Sequence, residues 1–207
     1  MKHTLALIST SRAYRLPSVA VAEPEKRGPF RFRGPLARRM TAEQFADAVS
    51  ALTGEWPQVS KDMLEVDDRG QGGQVAAVRA IVGEAAGEPV RAALAFDDSL
   101  LAALGRTSRE QVVTRRDSVA TTLQALEFIN GATLDHRLQQ GARRWVEWHG
   151  NDPEVLIHRL FLEALGRAPG PRELAAAREL IGTPVTAEGV QDLLWAVIML
   201  PEFQWID

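Results

Sequence analysis

Arg115-Arg116-Asp117-Ser118-Val119-Ala120-Thr121-Thr122-Leu123-Gln124-Ala125-Leu126-Glu127-Phe128-Ile129-Asn130-Gly131 carries a start signal, an apolar face and a stop signal in one short stretch. Asp117 or Ser118 can accept from the first free N–H groups of a helix, because a short oxygen-bearing side chain replaces the missing intrahelical acceptor. Asn130 and Gly131 suit the left-handed turn that closes one. Between these ends Leu123, Leu126 and Ile129 recur every three residues and Phe128 widens the stripe, so the spacing predicts a helix with one face against a core. The same grammar repeats on both sides. It predicts an all-α protein: an irregular multi-helix bundle with a long N-terminal wrapping loop and one or two short strands.

Downstream, Thr133 to about His149 repeats Leu134, Leu138, Ala142 and Trp145 at helical spacing, with Trp148 three further on. Asp152-Pro153 restarts the chain as cap and first helical residue, and Gly166 stops that helix after Leu165. Pro171 and Gly182 bracket the next one. Thr186 caps the last, whose Val190, Leu193, Leu194, Val197 and Ile198 form a wide stripe that Pro201 ends, leaving a short tail. Upstream, Thr41 and Gln44 form a capping box for a helix carrying Phe45, Val49 and Leu52 and closed by Gly54. Residues 2–14 read as a helix with no capping residue ahead of it, and 15–39 as a proline-containing loop in which Phe30-Arg31-Phe32-Arg33 alternates like an extended segment. Val90 to Phe96 reads as extended, and Asp98 as the cap of a short helix that Gly105 closes. The phrases Ala103-Leu104-Gly105-Arg106 and Ala164-Leu165-Gly166-Arg167 read as two helix ends of the same kind. The whole of 1–207 is expected to be a single helical domain truncated at its N-terminus, with 57–89 an insertion or flexible region.

A chain of 207 residues with 45% hydrophobic content can bury a substantial core. It has no cysteine, which excludes disulfides, thiolate metal sites, cysteine nucleophiles and covalent c-type haem attachment. The formal net charge of -3 hides an asymmetry, because the first forty residues carry nine Lys/Arg against two acids, which puts +7 there and -10 on the rest. The basic residues are spread out rather than clustered on one helix face. That argues against nucleic acid and for docking of the front on the acidic body. Lys2, Leu5-Ala6-Leu7-Ile8 and Ala20-Val21-Ala22 imitate a signal peptide, but four apolar residues are too few for its core. No run is long enough to span a membrane.

His3, His136, His149 and His158 show no metal-ligand spacing, so no metal site is expected. There is no Gly-x-Ser-x-Gly, phosphate-cradling glycine loop or dinucleotide fingerprint. Carboxylates are abundant enough to keep a glycosidase-like acid pair as an alternative, with the Arg-Phe loop and the tryptophans holding an anionic sugar. Two polar groupings stand out instead: Arg38 and Arg39 beside Glu43, and Arg115 and Arg116 ahead of Gln124 and Asn130, suited to tying loops to helices. Trp145 and Trp148 end one helix and serve either inter-helix packing or a recognition surface.

Six ordered phrases resemble one family: Leu7 to Tyr14, Arg38 to Gln44, Leu104 to Arg115, Ala120 to Leu126, Leu165 to Pro169 and Leu194 to Phe203. They are similar to the C-terminal part of domain of unknown function 1553, a planctomycete-specific domain of large proteins that often also carry a planctomycete-type cytochrome c domain. The resemblance implies an exported setting and a haem-bearing or other N-terminal domain as partner. It implies no catalytic residue. With no Cys-x-x-Cys-His in this chain, no haem or other cofactor is expected on it, and the reading is a non-catalytic accessory or interaction domain.

Overall fold

The computed structural model describes residues 1–19, 32–57, 89–94, 99–106 and 121–206. Among them the chain forms α1 (Lys2–Thr10), β1 (Arg38–Arg39), α2 (Ala42–Thr53), a 3₁₀ turn (Ala92–Leu94), α3 (Ser99–Ala103), α4 (Thr122–Asn130), α5 (Ala132–His149), α6 (Pro153–Leu165), α7 (Pro171–Ile181), α8 (Ala187–Met199), α9 (Pro201–Gln204) and β2 (Trp205–Ile206). The protein is predominantly helical, with one small two-stranded sheet.

Local chemistry sets the main helix boundaries. Thr41 Oγ1 accepts from Gln44 N while Gln44 Oε1 accepts from Thr41 N, which closes the capping box of α2. Asp152 Oδ1 accepts from Glu154 N and Val155 N at the start of α6, with Pro153 behind it as first helical residue. Gly54 and Gly166 close α2 and α6 in the left-handed conformation that a Cβ would disfavour.

α8 occupies the middle of the bundle and packs most extensively on α5 and α7. Its Val190, Leu193, Leu194, Val197 and Ile198 are buried, as a helix apolar over most of its circumference requires. They meet Leu134 and Leu138 from α5, Leu156 and Leu160 from α6, and Phe45 and Val49 from α2 in one core. A fully buried leucine contributes roughly 1.5–3 kcal/mol, so this cluster dominates the fold. Arg38 pairs with Ile206 and Arg39 with Trp205, antiparallel, and Met40 N donates to Gln204 O at 2.9 Å. The end of the N-terminal loop is thereby held on the last residues of the chain.

Several expectations are corrected. α4 begins at Thr122, and its cap is Thr121, whose Oγ1 accepts from Gln124 N, rather than Asp117 or Ser118. Its leucine stripe does not face the core: Leu123, Leu126 and Ile129 are 58%, 53% and 68% exposed. At about 100° per residue Leu126 lies roughly opposite Gln124, and the side turned inward carries Gln124 and Phe128. Gly131 is extended at φ -70°, ψ 116°, not left-handed, because α5 starts at the very next residue and Gly131 serves both helices. Pro201 does not simply terminate: it opens the one-turn α9 as its first residue, and β2 follows. The stretch read as extended from Val90 contains the 3₁₀ turn, pinned where Ala92 N donates to Asp47 Oδ1 at 2.7 Å. α1 ends at Thr10 rather than Tyr14. The 57–89 insertion and Arg115 lie almost wholly or wholly outside the described residues.

Candidate functional site

The starts of α2 and α4 converge on a small cavity of about 40 Å³. Arg39, Gln124 and Gln204 supply its polar lining, and Met40, Phe45, Leu104 and Phe128 the apolar part. Each position has a local cause. Arg39 is held by its strand pairing with Trp205, two residues before the α2 cap. Gln124 is the third residue of α4 and closes the second capping box, accepting from Thr121 N through Oε1 at 3.4 Å. Gln204 ends α9, donates through Nε2 to Ile198 O at 3.2 Å, and accepts from Arg39 Nη2 at 2.8 Å. The Phe45 and Phe128 rings meet on the apolar side with centroids 5.3 Å apart and planes tilted by 45°.

Of the sequence candidates, then, Arg39 and Gln124 are brought together. Glu43 sits half-buried in the first turn of α2, and Asn130 is exposed at the far end of α4; neither lines the cavity. Gln204 was missed, and the only signal for it is its place in a strand-forming tail paired 165 residues away in sequence. Trp145 and Trp148 part company. Trp145 is buried and its Nε1 donates to Leu52 O at 2.9 Å, while Arg144 Nη1 donates to Thr53 O at 3.4 Å. These two residues satisfy carbonyls that the last turn of α2 leaves without intrahelical partners. Trp148 is 60% exposed and lies under the Arg144 guanidinium at 4.2 Å.

A second polar cluster was not anticipated. Arg167 Nε and Nη2 donate to the two oxygens of Glu202, and Nη1 and Nη2 donate to the two oxygens of Glu173, all at 2.8 Å. Nη1 also donates to Ala168 O at 3.1 Å, so every N–H of the guanidinium is engaged. The fork joins the end of α6 to the starts of α7 and α9. Its sequence signal is the Gly166-Arg167 helix end followed by Gly170-Pro171 and Glu173, whose Oε2 also accepts from Gly170 N at 2.6 Å.

The hydrogen bonds from Arg167, together with that from Gly170, hold the Glu173 carboxyl down at about 2, and Arg167 lowers Glu202 as well; the carboxylates in turn raise Arg167. A carboxyl lowered on folding stabilises the protein above its unfolded value of about 4.3 and ceases to do so as pH falls toward its folded value. Thermal midpoints are therefore expected to decline between pH about 4.5 and 2, and Glu173→Gln should flatten part of that decline. An unchanged pH profile in the variant would show that the clamp contributes nothing. The three side chains are 34–42% exposed, so solvent screening keeps the effect modest.

Among the described residues no group of three or more His, Asp or Glu could hold a metal ion, and no helix is long and apolar enough to cross a membrane. No curated protein and no solved structure matches the chain. Five of the six phrases that carry the family resemblance fall within residues 1–181, while Leu194 to Phe203 lies beyond them. Over those residues, 1–181, the chain matches the family model described as PSD1, protein of unknown function (DUF1553), and it belongs to that family.

Proposed function

We propose that the domain is a non-catalytic interaction module whose docking surface is the outward face of α4. The observation that carries this reading is the inversion of that helix: Leu123, Leu126 and Ile129 point to solvent while a glutamine faces in. An apolar stripe of this kind, kept on a helix whose caps and inner face are fully specified, suits a surface that another domain covers. Leu5, Leu7 and Ile8 on α1 are exposed as well. The partner that fits best is the N-terminal region of full-length family members, haem-bearing or otherwise, in an exported protein. The module works without a cofactor of its own and corresponds to the C-terminal part of the family domain.

The test is binding of this chain to a separately expressed N-terminal region, read by calorimetry. A Leu126→Glu/Ile129→Lys double variant is expected to weaken it by at least about tenfold with unchanged circular dichroism, since central interface side chains carry most of the affinity. A complex of undiminished affinity would remove α4 as the surface. The polysaccharide-acting alternative gains no support from the described carboxylates. Glu173 and Glu202 are shifted downward, the opposite of what a general acid needs, and Arg167 saturates both.

A further inference from the structure

The cavity between α2 and α4 has an imbalance that points to a ligand. Arg39 carries five N–H donors, and among the described residues its guanidinium makes one bond, to Gln204 Oε1 at 2.8 Å. Gln204 can offer nothing in return, because its nitrogen is committed to Ile198 O. Gln124 is 9% exposed, and the Thr121 N–H fixes its amide with the oxygen toward the cap. Its Nε2 is thereby left without a partner among the described residues. Donors are in surplus on the polar side, and the described lining contains no carboxylate.

Two further features have the same sign. The cavity abuts the starts of α2 and α4, where aligned peptide dipoles make the local potential positive. Its apolar side, Phe45 and Phe128 above all, lowers the local dielectric and strengthens the attraction between the partly buried Arg39 guanidinium and an anion. A water oxygen can accept from these donors but brings no charge to set against the guanidinium. A neutral amide or hydroxyl ligand likewise brings no charge.

We propose that this cavity binds a carboxylate, with the Arg39 fork and Gln124 Nε2 as its donors. A planar carboxylate carries only acceptors and matches a guanidinium edge-on. The volume of about 40 Å³ corresponds to roughly three water-sized positions, enough for one such group. A tetrahedral phosphate brings additional charged oxygens against phenyl rings that cannot solvate them. The inference is independent of what docks on α4, whose apolar stripe lies on the opposite side of that helix.

The experiment uses the full chain labelled with nitrogen-15 and follows the Thr122, Gln124 and Met40 amides together with the Arg39 side chain. Sodium acetate is titrated against sodium chloride and sodium phosphate at matched ionic strength, and in a parallel arm against a short blocked peptide bearing one glutamate. Acetate is expected to give saturable shifts in the millimolar range, with chloride and phosphate giving smaller, non-saturating ones. Arg39→Gln should lower the acetate affinity at least tenfold. Gln124→Glu keeps the capping acceptor yet places a carboxylate in the cavity, so it should fold normally and abolish acetate binding. Tighter binding of the peptide than of acetate would assign the carboxylate to a partner's side chain, and equal binding would assign it to a free acid. Acetate shifts no larger than those of chloride, stronger binding of phosphate, or wild-type titration by both variants would overturn the proposal.

Discussion

Replacing Trp145 by alanine is expected to cost about 3–5 kcal/mol of folding free energy, while the same change at Trp148, one turn away, costs no more than about 1 kcal/mol. Both residues are aromatic, both end α5, and both qualify from sequence as recognition residues. The difference is what each touches. Trp145 is 3% exposed, packs in the main core, and gives its indole N–H to Leu52 O. Alanine there leaves a cavity between α2 and α5 and a carbonyl at the α2 end with no donor. Trp148 is exposed and contributes chiefly a ring under Arg144. Trp145→Phe separates the two parts of the larger effect: it restores most of the volume and should recover all but about 1–3 kcal/mol, the penalty of the unsatisfied carbonyl. Urea unfolding of the three variants decides the matter. Equal midpoints for the two alanine variants would mean that Trp145 does not support the fold, and would return it to the list of recognition residues.

The contrast between these tryptophans marks what could be read from the chain. Ends of helices were legible because their signals lie a few residues apart: Thr41 with Gln44, Asp152 with Pro153, Thr186 ahead of Gly189. The central position of α8 was legible because its apolar arc is wide enough to leave no alternative to the centre of the bundle, whereas its partners α5 and α7 were not. The orientation of α4 was not. A leucine every third residue specifies an apolar face, but it does not say whether the covering surface belongs to the same chain. What turned the helix was Gln124, held by the cap, with Phe128 one turn below it on the Phe45 ring.

Pairings across long sequence separation were equally hidden. Nothing near Arg38 announces Ile206, and nothing near Arg167 announces Glu202. At the candidate cavity, grouping Arg39 and Gln124 among polar-network residues found two of the three polar walls. It could not show that the two line one cavity, since Arg39 is held there by Gln204, which lies in the short C-terminal tail.

Gly189→Ala provides the sharpest test of the helix packing, because two principles predict opposite signs. Helix propensity alone favours alanine over glycine by about 1 kcal/mol in a helix interior. In this bundle a Cβ on Gly189 would lie 2.2 Å from Leu180 O and 2.8 Å from the Ile181 Cα, both backbone atoms of α7. Backbone cannot rotate away as a side chain can, so α7 and α8 must separate, and overpacking of a tight core costs about 1–3 kcal/mol. Sterics win, and Gly189→Ala is expected to be destabilising by roughly 2 kcal/mol, lowering the thermal midpoint by several degrees. Gly141, where α5 crosses the end of α2, provides the comparison. A Cβ there would meet the Thr53 Cβ and Cγ2 at 2.7 Å and its Cα at 2.9 Å. One of those three atoms can be removed, since Thr53→Ser keeps the hydroxyl that donates to Val49 O. Adding Thr53→Ser to Gly141→Ala should therefore recover part of the loss, a coupling a double-mutant cycle measures directly. No single side-chain trimming on α7 can do the same for Gly189→Ala. A Gly189→Ala protein more stable than the parent would mean that α7 and α8 do not approach as closely as 2.2 Å requires, and with them the placement of the central helix would fall.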